Sequence, residues 1–241
     1  ITASNEGTGF HQFYMDPDLD NLTTSIRVDK SNCVFDENYI EGGYNSTNNT
    51  ILYSVNTDKE NVLTIQGIEG STINLDVNSP ASGLYFYTDS CLINVNLTGT
   101  ADEYDALGLD FYNLIEVSGD NNLVEGTLNG MFYAGTNYSR EALSITGANN
   151  DVTFTGEIEI LNSDIYDCLF YLENDSTNQV LVKDFMIVNW DAPIFRATTT
   201  GFSQESEFTF VNSFIETLDS TFLDAGNRTN SLNPFKLVNT T

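Results

Sequence analysis

Positive charge is nearly missing from this 241-residue sequence, in which eight Lys and Arg stand against 35 Asp and Glu for a formal charge of -27. A nucleic-acid partner needs clustered Lys and Arg to neutralise phosphates, so DNA and RNA binding are excluded. Anionic membrane surfaces repel such a body for the same reason. Histidine occurs once, at His11, and cysteine three times, at Cys33, Cys91 and Cys168. That scarcity removes Ser-His-Asp chemistry, a Cys-His nucleophile and an N/S-ligated metal such as zinc. No apolar run reaches the 18 residues or so of a transmembrane helix, which argues against membrane insertion. The first residue is Ile1, with no basic and apolar leader after it, so the chain is expected to be either a processed product or one part of a longer polypeptide.

What is present is β-rich. Forty per cent of the residues are apolar and 12% aromatic, enough to bury a core and to set disorder aside. Helical periodicity is hard to find, whereas short runs of Val, Ile, Leu, Phe and Tyr recur between clusters of Asn, Asp, Ser, Thr and Gly. Taking the first inward apolar residue of each run as an anchor gives Cys33, Leu63, Ile93, Leu123, Val152, Val180, Phe208 and Phe235. Successive anchors lie 30, 30, 30, 29, 28, 28 and 27 residues apart. Each period is expected to hold three short strands with Gly and Asn at its corners, the third beginning near Leu84, Leu114, Leu143, Cys168, Ile194 and Phe222. Hairpins would give turn signals every 8–12 residues or so, and a unit of this kind buries its apolar face only by stacking on its neighbours.

Runs such as "VTFTGEIEILN" from Val152 and "FTFVNSFIETL" from Phe208 resemble the coil repeats of the right-handed parallel β-helix (pectin-lyase-like) superfamily over about residues 30–241. The resemblance implies an all-β solenoid of about seven to eight coils of 27–30 residues, with residues 1–30 as an N-terminal cap and 31–241 as the helix domain. "PFKLVNTT" stops inside a first strand, so continuation into a longer chain, or homo-oligomeric assembly, is expected. The superfamily spans pectate and pectin lyases, polygalacturonases, chondroitinase-like lyases, phage tailspikes and surface adhesins, so it carries architecture rather than activity.

Candidate sites are few. Cys33 and Cys91 should lie two coils apart, about 10 Å at roughly 4.8 Å per coil, beyond the ~7 Å reach of a disulfide. All three cysteines are therefore read as buried thiols. Alternating acids in "MDPDLDN", Asp16, Asp18 and Asp20, are oxygen ligands suited to Ca2+, the one cofactor the sequence suggests. Lyase chemistry needs basic groups beside a uronate, and the eight here are dispersed in a body that repels polyanions. A hydrolase needs paired carboxylates, for which Asp102, Asp105 and Asp110 are the least poor candidates. On the third strand, alternation turns Tyr85, Glu116, Ser144, Tyr171, Arg196 and Asp224 outward, and the tyrosines with their polar neighbours suit sugars. Trp190, the single Trp, is read as a packing residue near a corner.

The leading expectation is a non-enzymatic module, adhesin-like or fibre-like, on a cell or virion surface or otherwise extracellular, presenting a long face to glycans or surface proteins. A polysaccharide-degrading hydrolase or lyase is the second reading, and a spacer or filament subunit the third. Eight Asn-x-Ser/Thr sequons begin at Asn21, Asn45, Asn48, Asn96, Asn137, Asn174, Asn227 and Asn239.

Overall fold

The computed structural model describes residues 2–3, 14–15, 21–29, 35–102, 113–133, 141–161, 168–172, 177–197, 207–217, 223–224 and 235–241. Within them the chain is all β. The first strands are β1 (Thr2–Ala3), β2 (Tyr14–Met15), β3 (Thr23–Asp29), β4 (Phe35–Thr47), β5 (Thr50–Asn56), β6 (Glu60–Glu69) and β7 (Thr72–Ser79). There follow β8 (Ala81–Asp89), β9 (Leu92–Thr100), β10 (Ile115–Ser118), β11 (Leu123–Tyr133), β12 (Glu141–Thr146), β13 (Asp151–Leu161) and β14 (Cys168–Leu172). The last are β15 (Gln179–Trp190), β16 (Phe195–Ala197), β17 (Glu207–Val211), β18 (Phe214–Thr217), β19 (Leu223–Asp224) and β20 (Phe235–Val238).

These strands form two sheets, one of 11 strands in the order β1-β3-β5-β7-β9-β11-β13-β15-β17-β20, with β18 also on β15, and one of nine from β19 through the even strands to β2. Every pairing is parallel, so from β1 to β17 the chain visits the two sheets alternately and each strand lies beside the one two places on. The pairing reaches back into residues 1–30, where β1 pairs β3 and β3 pairs β5.

Alternation within the strands explains why they bury one face. In β7, "TINLDVNS", Ile73, Leu75 and Val77 are buried while Asp76 is exposed. Successive levels align these residues: Ile51, Ile73, Ile93, Val124, Val152, Val180 and Phe208 stack in the 11-stranded sheet. Leu63, Leu84, Ile115, Leu143, Phe170 and Phe195 stack in the nine-stranded one. The two stacks belong to one core, aliphatic at its N-terminal end and phenylalanine-rich toward β17. β-branched residues suit the first stack because they fit a pleated, parallel surface buried against a neighbour.

The corners are built by polar residues. Asn21, Asn48, Gly70, Ser90, Asn121 and Asn149 turn the chain with φ of 61°, 56°, 58°, 57°, 60° and 59° before strands of the larger sheet. Asparagine tolerates this left-handed region better than other residues with a Cβ. Apart from Leu22, which is exposed, the residue after each corner is interior. There the Asn122 amide donates to Asn150 Oδ1 (2.9 Å) and the Asn150 amide to Asn178 Oδ1 (2.8 Å). Their side-chain amides donate to Thr88, Gly119 and Gly147 carbonyls at 2.7–2.8 Å. Backbone groups that a corner would orphan are thereby paired.

Several expectations are corrected. The even spacing of 27–30 residues fails in the first half of the chain: Ile51 lies against Ile73, 22 residues on, and Ile73 against Ile93, only 20 on. Leu63 belongs to the other sheet, opposite Leu84, so the 30-residue step through it joined two different stacks. Such short levels close because β7 and β8 are separated by Pro80 alone and β6 and β7 by Gly70-Ser71. Leu123 is one residue out of phase: it is 43% exposed and its neighbour Val124 holds the core position. The expected middle strand is in places the second half of a long first strand, as in β13, which bends at Gly156.

Candidate functional site

The register of the nine-stranded sheet brings the sequence-predicted ligand residues into one row. Tyr85 pairs with Glu116, Glu116 with Ser144, Ser144 with Tyr171, Tyr171 with Arg196 and Arg196 with Asp224. Upstream the row continues through Thr64 to Tyr39. All these positions are adjacent because their neighbours in sequence, Leu84, Ile115, Leu143 and Phe170, are held in the core. The side chains of Arg196 and Asp224 lie outside the described residues, as do Asp16, Asp18, Asp20, Asp105, Asp110, Cys33 and His11.

Four residues around the middle of this row are joined. The Asn113 side-chain amide donates to Glu116 Oε2 (3.2 Å), and its backbone amide donates to the Tyr85 phenol oxygen (3.4 Å). The Tyr87 phenol, two residues along from Tyr85, hydrogen-bonds the Glu116 carboxylate. Burial first, then the charge of Glu116 and that hydrogen bond, push the Tyr87 phenol up to about 12. Tyr87 nevertheless remains 40% exposed, while Tyr39, Glu116 and Tyr171 are half-buried. The result is a carboxylate fixed between an amide and a phenol, with phenol rings on either side.

Two members of the row depart from the solvated face expected of them. Tyr85 is only 9% exposed and Ser144 is buried. Tyr85 packs with Val62, Ala81 and Tyr133 in a second apolar cluster, joined by Ala101 and Leu161, apart from the main core. It therefore anchors the site from beneath, and Tyr87 takes the exposed position. The alternation argument for the third strand stopped at one outward residue per level, which is why Tyr87 and Asn113 were missed. "LYFYTD" carries the signal, since Tyr87 follows Tyr85 at the same outward phase.

The remaining candidates are scattered. Asp102 is exposed beyond β9, and its backbone carbonyl accepts a hydrogen bond from the Tyr133 phenol. Cys91 and Cys168 are buried thiols; Cys91 occupies an interior corner position, and burial pushes its thiol up. Trp190 is fully buried with Nε1 donating to the Pro193 carbonyl (3.4 Å), as a packing residue would be. Among the described residues no helix is long and apolar enough to cross a membrane.

The class these observations define is an all-β protein of long parallel sheets with an aromatic and acidic outer face. No family model, no curated protein and no solved structure matches the chain.

Proposed function

We propose that the two sheets are walls of a right-handed parallel β-helix and that the protein is a non-enzymatic, extracellular or surface-displayed module that binds glycans on its nine-stranded face. Support for the helix comes from the alternation of parallel strands between two sheets around one core, together with the strong preference of parallel crossovers for the right hand. One observation carries the binding reading: the exposed Tyr87 and the half-buried Glu116, hydrogen-bonded together and with Glu116 held by the buried Asn113 amide, lie on an outer face flanked by Tyr39 and Tyr171.

Phenol rings offer flat apolar area with a polar rim, and the Glu116 carboxylate, held in place by the buried Asn113 amide, offers acceptors for vicinal hydroxyls. An uncharged glycan is the class favoured, because the formal charge of -27 and Glu116 itself oppose uronates and sulfated sugars. Strands spaced about 4.8 Å apart repeat such contacts along the face, so an extended chain engages several levels at once.

The test is an array of neutral and acidic oligosaccharides probed with the wild-type chain and with Tyr87→Ala and Tyr171→Ala. Retention of neutral oligosaccharides, weakened at least tenfold in both variants, supports the reading. Release of reducing ends or of unsaturated uronate absorbance would instead establish the enzymatic alternative, and the absence of any glycan retention would leave the spacer reading standing.

A further inference from the structure

Asparagines divide into two populations. Asn38, Asn49, Asn61, Asn113, Asn122, Asn150 and Asn178 are buried, and none of them opens an Asn-x-Ser/Thr sequon. Asn21, Asn48, Asn96 and Asn239 each open one, and all four are exposed. The cause lies in the strand period. Two residues after the interior corner asparagines come core positions, Ile51, Val124, Val152 and Val180, where a hydroxyl is not tolerated. One residue earlier the phase reverses: two residues after the corner-turning Asn21 and Asn48 come Thr23 and Thr50, which point away from the core and pair with each other. Asn96 and Thr98 likewise share the outward phase of β9, on either side of the buried Leu97.

We propose that Asn48 and Asn96, with Asn21 and Asn239, are N-glycosylation sites. The reaction joins Asn Nδ2 to the anomeric carbon of a lipid-diphosphate-linked oligosaccharide; the C–O bond to the diphosphate breaks, the lipid diphosphate leaves, and Nδ2 gives up one proton. The fold tolerates the product at each position. Among the described residues Asn48 Nδ2 makes a single 3.4 Å contact, to Thr47 Oγ1, and Asn48 turns the corner through its backbone at φ 56°. Asn96 Nδ2 donates to Asp76 Oδ1 (2.9 Å) and Asn239 Nδ2 to Asn212 Oδ1 (3.3 Å), bonds that the hydrogen left on a glycosylated amide still makes. All four sit on the 11-stranded sheet or the corners leading into and out of it, so sugars at these positions coat that side. Asn137, Asn174 and Asn227 lie outside the described residues, as does the Asn45 side chain.

The chain is expressed behind a cleavable secretory signal in cultured eukaryotic cells, and in parallel translated with microsomes, which read occupancy independently of secretion. Peptides are mapped before and after an amidase that converts glycosylated Asn to Asp. Expected are oligosaccharide masses at Asn48 and Asn96 in secreted protein with a β-type circular dichroism spectrum. Thr50→Ala should abolish the mass at Asn48 alone while keeping the corner asparagine. Unmodified Asn48 and Asn96 in both systems would overturn the proposal. Neither outcome depends on ligand binding at Tyr87, which is measured on unglycosylated bacterial protein.

Discussion

The backbone amide of Asn122 donates to the side-chain oxygen of Asn150 one level away, at 2.9 Å, while the Asn150 side-chain amide donates to the Gly119 carbonyl at 2.8 Å. Both asparagines are buried. A single side chain thus satisfies a buried donor and a partly buried acceptor.

Asn150→Ala removes both partners at once and leaves the Asn122 N–H and the Gly119 C=O unpaired. The buried N–H left so costs about 1–3 kcal/mol and the partly buried carbonyl less, so a loss of roughly 1–4 kcal/mol is expected. The check is a urea titration in which the midpoint falls and the slope is unchanged. A midpoint equal to wild type would show that water enters the corner and replaces the side chain.

Two glycines with positive φ should respond in opposite ways. Gly156 has φ 122°, and a Cβ there would meet the Leu128 carbonyl oxygen. Gly156→Ala therefore combines a backbone region closed to L-residues with a collision, and a cost of at least ~2 kcal/mol is expected. Gly70 has φ 58°, and its Cβ would find only Asn48 Oδ1, at 4.0 Å. Equivalent corners already carry Asn48, Asn121 and Asn149. Gly70→Asn should be neutral or stabilise by about 0.5–1 kcal/mol through the unfolded chain. Thermal unfolding of the two variants side by side tests the contrast.

Tyr87 makes the candidate site readable by pH. Its phenol is pushed up to about 12 by burial and by Glu116, above the ordinary value of 10.0. Between those values the folded state holds a proton that the unfolded state has lost. This contribution to stability is complete below pH 10 and disappears as pH rises toward 12. Ultraviolet difference titration should show a high-pH phenol step that is absent from Tyr87→Phe. In Glu116→Gln the step should move down without reaching the ordinary value, because burial remains after the charge is gone. An unmoved step in Glu116→Gln would separate the two side chains.

How far the sequence reveals this molecule depends on which signal is asked. Period-two alternation placed Tyr85, Glu116, Ser144, Tyr171, Arg196 and Asp224 in a single row, and their register agrees residue by residue. The same signal misplaced Leu123 by one, because Leu123 and Val124 are equally apolar and only the interior Asn122 before them sets the phase. Hydrophobic spacing could not distinguish the sheets either: Leu63 and Ile93 look alike as anchors, yet lie in different sheets. The asparagine corners were visible as "NN" at Asn121-Asn122 and Asn149-Asn150, 28 residues apart, but composition hid them among many surface asparagines. The joining of Asn113 to Glu116 and Tyr85 needed the chain's return after β9, which no local pattern encodes.

Phe170 packs the nine-stranded sheet against the larger one through four aromatic contacts. From β14 its ring meets Phe154 of β13, Phe185 of β15, and Phe208 and Phe210 of β17, with centroids 6.5, 6.3, 5.1 and 5.7 Å away. The last two contacts are edge-on, the favoured arrangement for aromatic quadrupoles. Phe170→Ala should cost about 3–5 kcal/mol, whereas Phe170→Leu keeps most of the volume and should cost about 1–2 kcal/mol. Because each level of such a stack rests on its neighbours, the loss should not spread evenly. Hydrogen exchange is expected to accelerate in β15 and β17 at denaturant concentrations where β5, β7 and β9 stay protected. Equal acceleration in all five strands would show instead that the two sheets unfold as one cooperative unit.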